Sequence, residues 1–211
     1  MNHGFLTRTP VTAGAALIGL AVLGFAVSGG SPLSAAFAGG IEGRYDCSYY
    51  RAGGGDLVTE HNCLIYPATP RDDASGDATV SKAVTSVAAY DKDGLAYLFS
   101  PAGLFYFTRT GTCRKTLPYD NGPDYFSEGL ARFEHNGTIG FIDKSLSVVI
   151  ESRYDFAYPF RNGLSVVCIG CVAKKSGEHT EMVGGKWGLI NRKGEIVQLI
   201  DSPGPALDER K

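Results

Sequence analysis

The sequence is short of nearly everything that marks an enzyme. Its 211 residues hold no Gly-x-Ser-x-Gly nucleophile elbow, no His-Glu-x-x-His helix and no phosphate-binding loop. Gly53-Gly54-Gly55 comes nearest to the last, but it lacks the lysine and the following helix that hold a phosphate. An excess of one charge is also missing. Twenty Lys and Arg stand against 22 Asp and Glu, with no basic stripe or cluster, which argues against nucleic acid as a partner. The adjacent carboxylates Asp72 and Asp73 sit in a stretch rich in Pro and Asp and read as solvated rather than catalytic.

There is one long apolar run, Val11 to Val27. Arg8 precedes it, and Ala36-Phe37-Ala38 follows in front of Gly39. Charged, apolar and small-residue regions in that order predict a secretory signal peptide over 1–38, cleaved before Gly39. The alternative is an anchor retained through 11–27, about 25 Å long at roughly 1.5 Å per residue, which is short for a hydrocarbon core. The run has no neighbouring cysteine to carry lipid, and Arg8 has no second arginine beside it. The expectation is an exported chain, periplasmic or secreted, of bacterial type.

Five cysteines follow the leader: Cys47, Cys63, Cys113, Cys168 and Cys171. In an oxidising compartment the default is disulfide bonding. Five thiols allow fifteen ways of making two bridges, and sequence does not choose among them. Proximity favours Cys47–Cys63 and Cys168–Cys171, with Cys113 left over.

The second half of the chain is written twice, with a weaker copy ahead of it. Tyr119, Asp120, Phe126, Gly129, Leu130 and Ala131 recur as Tyr154, Asp155, Phe160, Gly163, Leu164 and Ser165, at offsets of 34–35 residues; Gly94-Leu95-Ala96 is a third instance. A fixed period in this range means one supersecondary unit copied along the chain. Within each copy the apolar segments are short. They are Leu95–Phe99 and Leu104–Phe107, Leu130–Phe133 and Ile139–Ile142, and Leu164–Val167 and Trp187–Ile190, with a further strand such as Val148–Ile150 or Glu195–Val197. His135-Asn136-Gly137 predicts a tight hairpin, because Asn-Gly supplies the positive φ values of a primed turn. The fold class is therefore all-β, an array of short antiparallel hairpin repeats. Residues 39–90 form an N-terminal β segment with a polar loop at 67–77, in which 80–90 reads as strand or short helix; 201–211 form a tail. Copied aromatics fill copied interfaces, so Tyr154, Phe160, Leu164, Trp187 and Ile190 are expected to be buried. Gly137 to Gly185 is 48 residues, so about 14 are inserted into one hairpin between Cys168 and Val183. Insertions in repeat arrays map to loops on one face, often the binding face.

Gly185-Lys186-Trp187-Gly188-Leu189-Ile190-Asn191-Arg192-Lys193-Gly194 resembles the signature of the WG-repeat (KWG) family. So do Phe126–Ala131 and Gly140–Lys144 in the preceding copy. The resemblance implies three repeats over 91–200 (about 91–118, 119–153 and 154–200). The role it implies is a β-hairpin surface without catalytic residues or cofactor. Trp187 is the only tryptophan, Ile139 and Leu104 standing in its place elsewhere.

Cys168-Ile169-Gly170-Cys171 is the one string with reactive potential. A thiol-disulfide oxidoreductase places such a pair at a helix N-terminus, whereas here it follows a strand-like run. Cys168, Cys171 and His179, with Glu178 and Glu181 beside them, also form a candidate metal set, for which Cys113, His61 or a carboxylate would have to supply the fourth zinc ligand. The favoured reading is a silent structural disulfide. Asn136-Gly137-Thr138 is a glycosylation sequon. The expected function is a binding surface for another protein, a glycan or an envelope component.

Overall fold

A computed structural model describes residues 43–66 and 78–201. The leader 1–38, the loop 67–77 and all of the tail but Asp201 lie outside the described residues.

The first half closes on itself. Strands β1 (Gly43–Tyr50) and β2 (Leu57–Tyr66) make a hairpin, followed by β3 (Ala78–Val80), the single-turn α1 (Lys82–Thr85), β4 (Leu95–Ser100), β5 (Gly103–Thr108) and β6 (Thr112–Thr116). The pairing order β6-β3-β2-β1-β4-β5 is completed by a β5–β6 ladder, so six antiparallel strands form a barrel without a free edge. Alternate residues point inward, as the pleat requires: Cys47 and Tyr49, Ala78 and Val80, Ala96 and Leu98, Phe105 and Phe107 share one core with Cys63, Leu64, Cys113 and Val84 of α1. The Cys47–Cys63 disulfide joins β1 to β2 inside that core, with Cα atoms 5.9 Å apart. The division drawn at residue 90 marks no break between sheets, because β1–β3 complete the barrel whose other half is repeat 1. The segment 80–90 contains the end of β3 and one helical turn.

Repeats 2 and 3 are meanders of the same plan. Strand pair β7 (Pro118–Tyr119) and β8 (Gly122–Pro123) leads into β9 (Leu130–His135), β10 (Thr138–Asp143) and β11 (Val148–Tyr154). Then β12 (Phe156–Ala157) leads into β13 (Leu164–Ser176), β14 (His179–Asn191) and β15 (Ile196–Ile200). Repeat 2 joins the barrel at the end of β6, where Thr116 pairs with Phe133, while repeat 3 forms its own sheet in the order β12-β13-β14-β15. The copied Gly-Leu is a turn. Gly94, Gly129 and Gly163 all have positive φ (80°, 83° and 76°), a conformation that favours glycine. The Asn136-Gly137 hairpin is present as expected, with φ of 50° and 76°.

Opposite faces of each meander feed different cores. Ala131, Phe133 and Ile142 of repeat 2 face back onto Leu95 and Tyr106 of repeat 1. Leu130, Ile139, Phe141 and Ile150 face forward onto Ala157, Phe160, Val167 and Ile190 of repeat 3. Tyr154, Phe160, Trp187 and Ile190 are buried. Leu164 differs from expectation. It is half-exposed, whereas its counterparts Leu95 and Leu130 are 3% and 4% exposed, because each of those is covered by the following repeat.

Candidate functional site: the inserted ribbon of repeat 3

The insertion is not a loop. The arms β13 and β14 run for 13 residues each, against 6 for β9 and β10, so the added residues lengthen both arms by seven and stay in register to the Ser176–His179 pair. Regular pairing between the two long arms satisfies their inward-facing backbone groups and leaves the outer ones to water. Strand β12 pairs with β13 only at Ala157–Val167 and Phe156–Cys168, and β15 pairs with β14 only from Trp187 to Ile190. Beyond those pairs no strand among the described residues lies on either outer edge of the ribbon. Residues 172–181 are all exposed, with Val172 opposite Val183 and Lys174 opposite Glu181.

The root of the ribbon is a break in the pleat that explains the cysteine spacing. On a regular strand, residues i and i+3 point to opposite faces. Gly170, with φ of 80°, and Gly185 opposite it both drop out of the ladder between the Ile169–Lys186 and Cys171–Gly184 pairs, which keeps the register but breaks the pleat on both arms. Cys168 and Cys171 therefore face the same way and form a disulfide across 6.1 Å between Cα atoms. The Gly170 amide donates to Asp155 Oδ2 at 2.6 Å, so the aspartate of the copied Tyr-Asp pair pins this break. Opposite, Gly185 has φ of 68°, and a Cβ there would collide with the Cys171 nitrogen and the Gly170 carbonyl carbon. Both sulfurs pack with Val166 and Trp187, whose indole N–H donates to the Gly184 carbonyl at 2.8 Å.

The sequence-selected residues do not converge. His179 sits at the ribbon tip, five register positions beyond Cys171, or about 16 Å at roughly 3.3 Å per residue. No group of three His, Cys, Asp or Glu side chains among the described residues is placed to hold a metal. Cys113 lies in the barrel core, where burial pushes its thiol up to about 12. His61 is on the barrel surface, 2.9 Å from Asp46. The pair Cys168/Cys171 lies on a strand, and α1, the one helix among the described residues, is in the barrel half. Asn136 is exposed at its hairpin tip.

Sequence reasoning missed a buried ion pair. The Arg132 guanidinium forks onto Asp124 at 2.6 and 3.0 Å and donates to the Ala157 carbonyl at 2.8 Å, tying repeat 2 to repeat 3. The signal was available: Asp124 and Arg132 stand where the next copy has Tyr158 and Val166, a charged pair of opposite sign at two apolar positions.

Residues 139–170 match the family model described as WG containing repeat. The chain carries a WG repeat. The matched stretch runs from β10 across the repeat junction into β13 and ends at Gly170, at the root of the inserted ribbon. Neither the curated proteins nor the solved structures yielded a match.

Proposed function

We propose that this WG-repeat protein is an exported, non-catalytic binding module that contacts its partner through the ribbon between Cys171 and Val183. The supporting observation is the ribbon itself: ten consecutive exposed residues held as paired strands beyond the edge of the sheet. A two-stranded hairpin is marginal in water, and this one adds little to any core. It does offer two backbone edges of the kind that accept a partner strand, and its lysines and glutamates guard those edges against indiscriminate pairing. The partner is another protein or an envelope component. Two disulfides support an oxidising compartment. Among the described residues no helix is long and apolar enough to cross a membrane.

The test replaces residues 172–183 with a two-residue turn and compares capture from the native envelope. The shortened protein should melt close to the parent and lose the parent's specific partner. Undiminished capture would refute the assignment. Insulin reduction by Cys168/Cys171, or stoichiometric zinc lost on His179→Ala, would replace it with a redox or metal function.

A further inference from the structure

Each repeat seats an aromatic ring from the next one at the same register position. Phe126, which introduces repeat 2, lies on Tyr106 of repeat 1 with ring centroids 5.1 Å apart. Phe160, which introduces repeat 3, lies on Phe141 of repeat 2 at 4.7 Å. Tyr106 and Phe141 are equivalent, 35 residues apart, and each is followed by a residue facing backward, Phe107 into the barrel and Ile142 onto repeat 1. In repeat 3 the backward residue is Ile190, packed onto repeat 2, which makes Leu189 the third seat.

Among the described residues no ring from a following unit lies on that seat. Leu189 is half-buried beside Trp187, Tyr158 and Val166. Leu164, whose counterparts are covered, is half-exposed here for the same reason. It lines a cleft of about 440 Å3 with Tyr158, Phe160 and Val166, walled on the other side by Tyr119, Ser127 and Arg132 of repeat 2; Val166, which pairs with Leu189, connects the cleft to the seat. A second copy of the chain is poorly equipped to fill the position. Its Phe126 and Phe160 already sit on their own seats, and the backward face of its repeat 1 is enclosed in the barrel.

We propose that the forward face of repeat 3, Leu189 with the adjoining cleft, binds an aromatic side chain presented on a turn-forming segment of a partner protein, as Phe160 is presented within this chain. Two occupied seats define the chemistry: a ring stacked on an apolar side chain, with the Gly-Leu turn of the receiving repeat covered beside it. This surface is separate from the ribbon tip, so loss of one binding activity leaves the other measurable.

Trp187 is the only tryptophan and borders the seat, so its fluorescence reports occupancy. The probe is a synthetic peptide of residues 154–166, titrated into the full oxidised chain beside a peptide carrying Phe160→Ala. The native peptide should shift Trp187 emission saturably. The alanine peptide should bind at least tenfold more weakly, and Leu189→Lys or Leu164→Lys in the protein should abolish the shift while leaving its melting transition cooperative. No saturable shift, or equal binding by both peptides, overturns the proposal. So does concentration-dependent dimerisation that Leu189→Lys removes, which would make the occupant a second copy.

Discussion

Replacing Phe160 with alanine should cost more stability than replacing Trp187, although tryptophan is the larger residue and names the repeat. Phe160 is 1% exposed and lies between two sheets, its ring against Phe141 at 4.7 Å. Removing a phenyl ring there loses the transfer free energy of the ring. It also leaves a cavity of up to roughly 100 Å3, at about 24 cal/mol per Å3 of unfilled volume. Neighbours on both sides are strands held by their own ladders, so little of that space can close. The expected cost is the upper part of the range for such changes, about 4–5 kcal/mol. Trp187 is 3% exposed, but Phe156, Tyr158 and Leu189 around it are half-exposed and free to move inward. Its hydrogen-bond acceptor, the Gly184 carbonyl, belongs to an exposed residue that water can serve. Trp187→Ala should therefore cost about 3 kcal/mol. At about 2–4 °C per kcal/mol for a chain of this size, Phe160→Ala lowers Tm by about 10–15 °C and Trp187→Ala by less. Urea unfolding under non-reducing conditions, with unchanged m-values, measures both. A loss below about 2 kcal/mol for Phe160→Ala, or the reverse order of the two variants, would refute the layered packing argued here.

Three further outcomes are expected. Asp124→Ala leaves the buried Arg132 guanidinium without its carboxylate and should destabilise by about 3–5 kcal/mol in chemical denaturation; a cost within 1 kcal/mol would show that water reaches the pair. Cys113, buried and with its thiol raised to about 12, should resist alkylation in the native protein and become the single modifiable thiol in denaturant without reductant, read by mass spectrometry. Finally, the hydrogen bond to Asp46, and then its charge, raise the His61 pKa above the ordinary 6.5, while the Asn62 amide and His61 lower that of Asp46. The stabilisation carried by His61 is present below pH 6.5 and lost as pH rises through its raised value; that carried by Asp46 is lost as pH falls through its lowered one. An NMR titration of the His61 ring should show a midpoint above 6.5 that returns toward it in Asp46→Ala.

Much of this architecture is local in origin and could be read from the chain. A period of 34–35 residues with Gly-Leu at the head of each copy is a set of turn requirements, and Gly94, Gly129 and Gly163 meet it with the same positive φ. Alternating apolar residues set strand boundaries in all three copies, and nearness in sequence pointed to both disulfides. Tertiary structure decided whatever depended on residues far apart meeting. Repeat 1 closes into a barrel because β3 reaches β6 and β1 reaches β4, pairings that no periodicity encodes. Leu164 carries the same turn chemistry as Leu95 and Leu130, yet only those two are covered, since burial is conferred by the neighbouring unit. Cys168 and Cys171 share a face because the pleat is broken at the facing Gly170 and Gly185, both of positive φ, with the Gly170 amide held by Asp155. Strand and turn chemistry belong to a few adjacent residues and are legible in sequence; closure, coverage and parity belong to partners elsewhere in the fold.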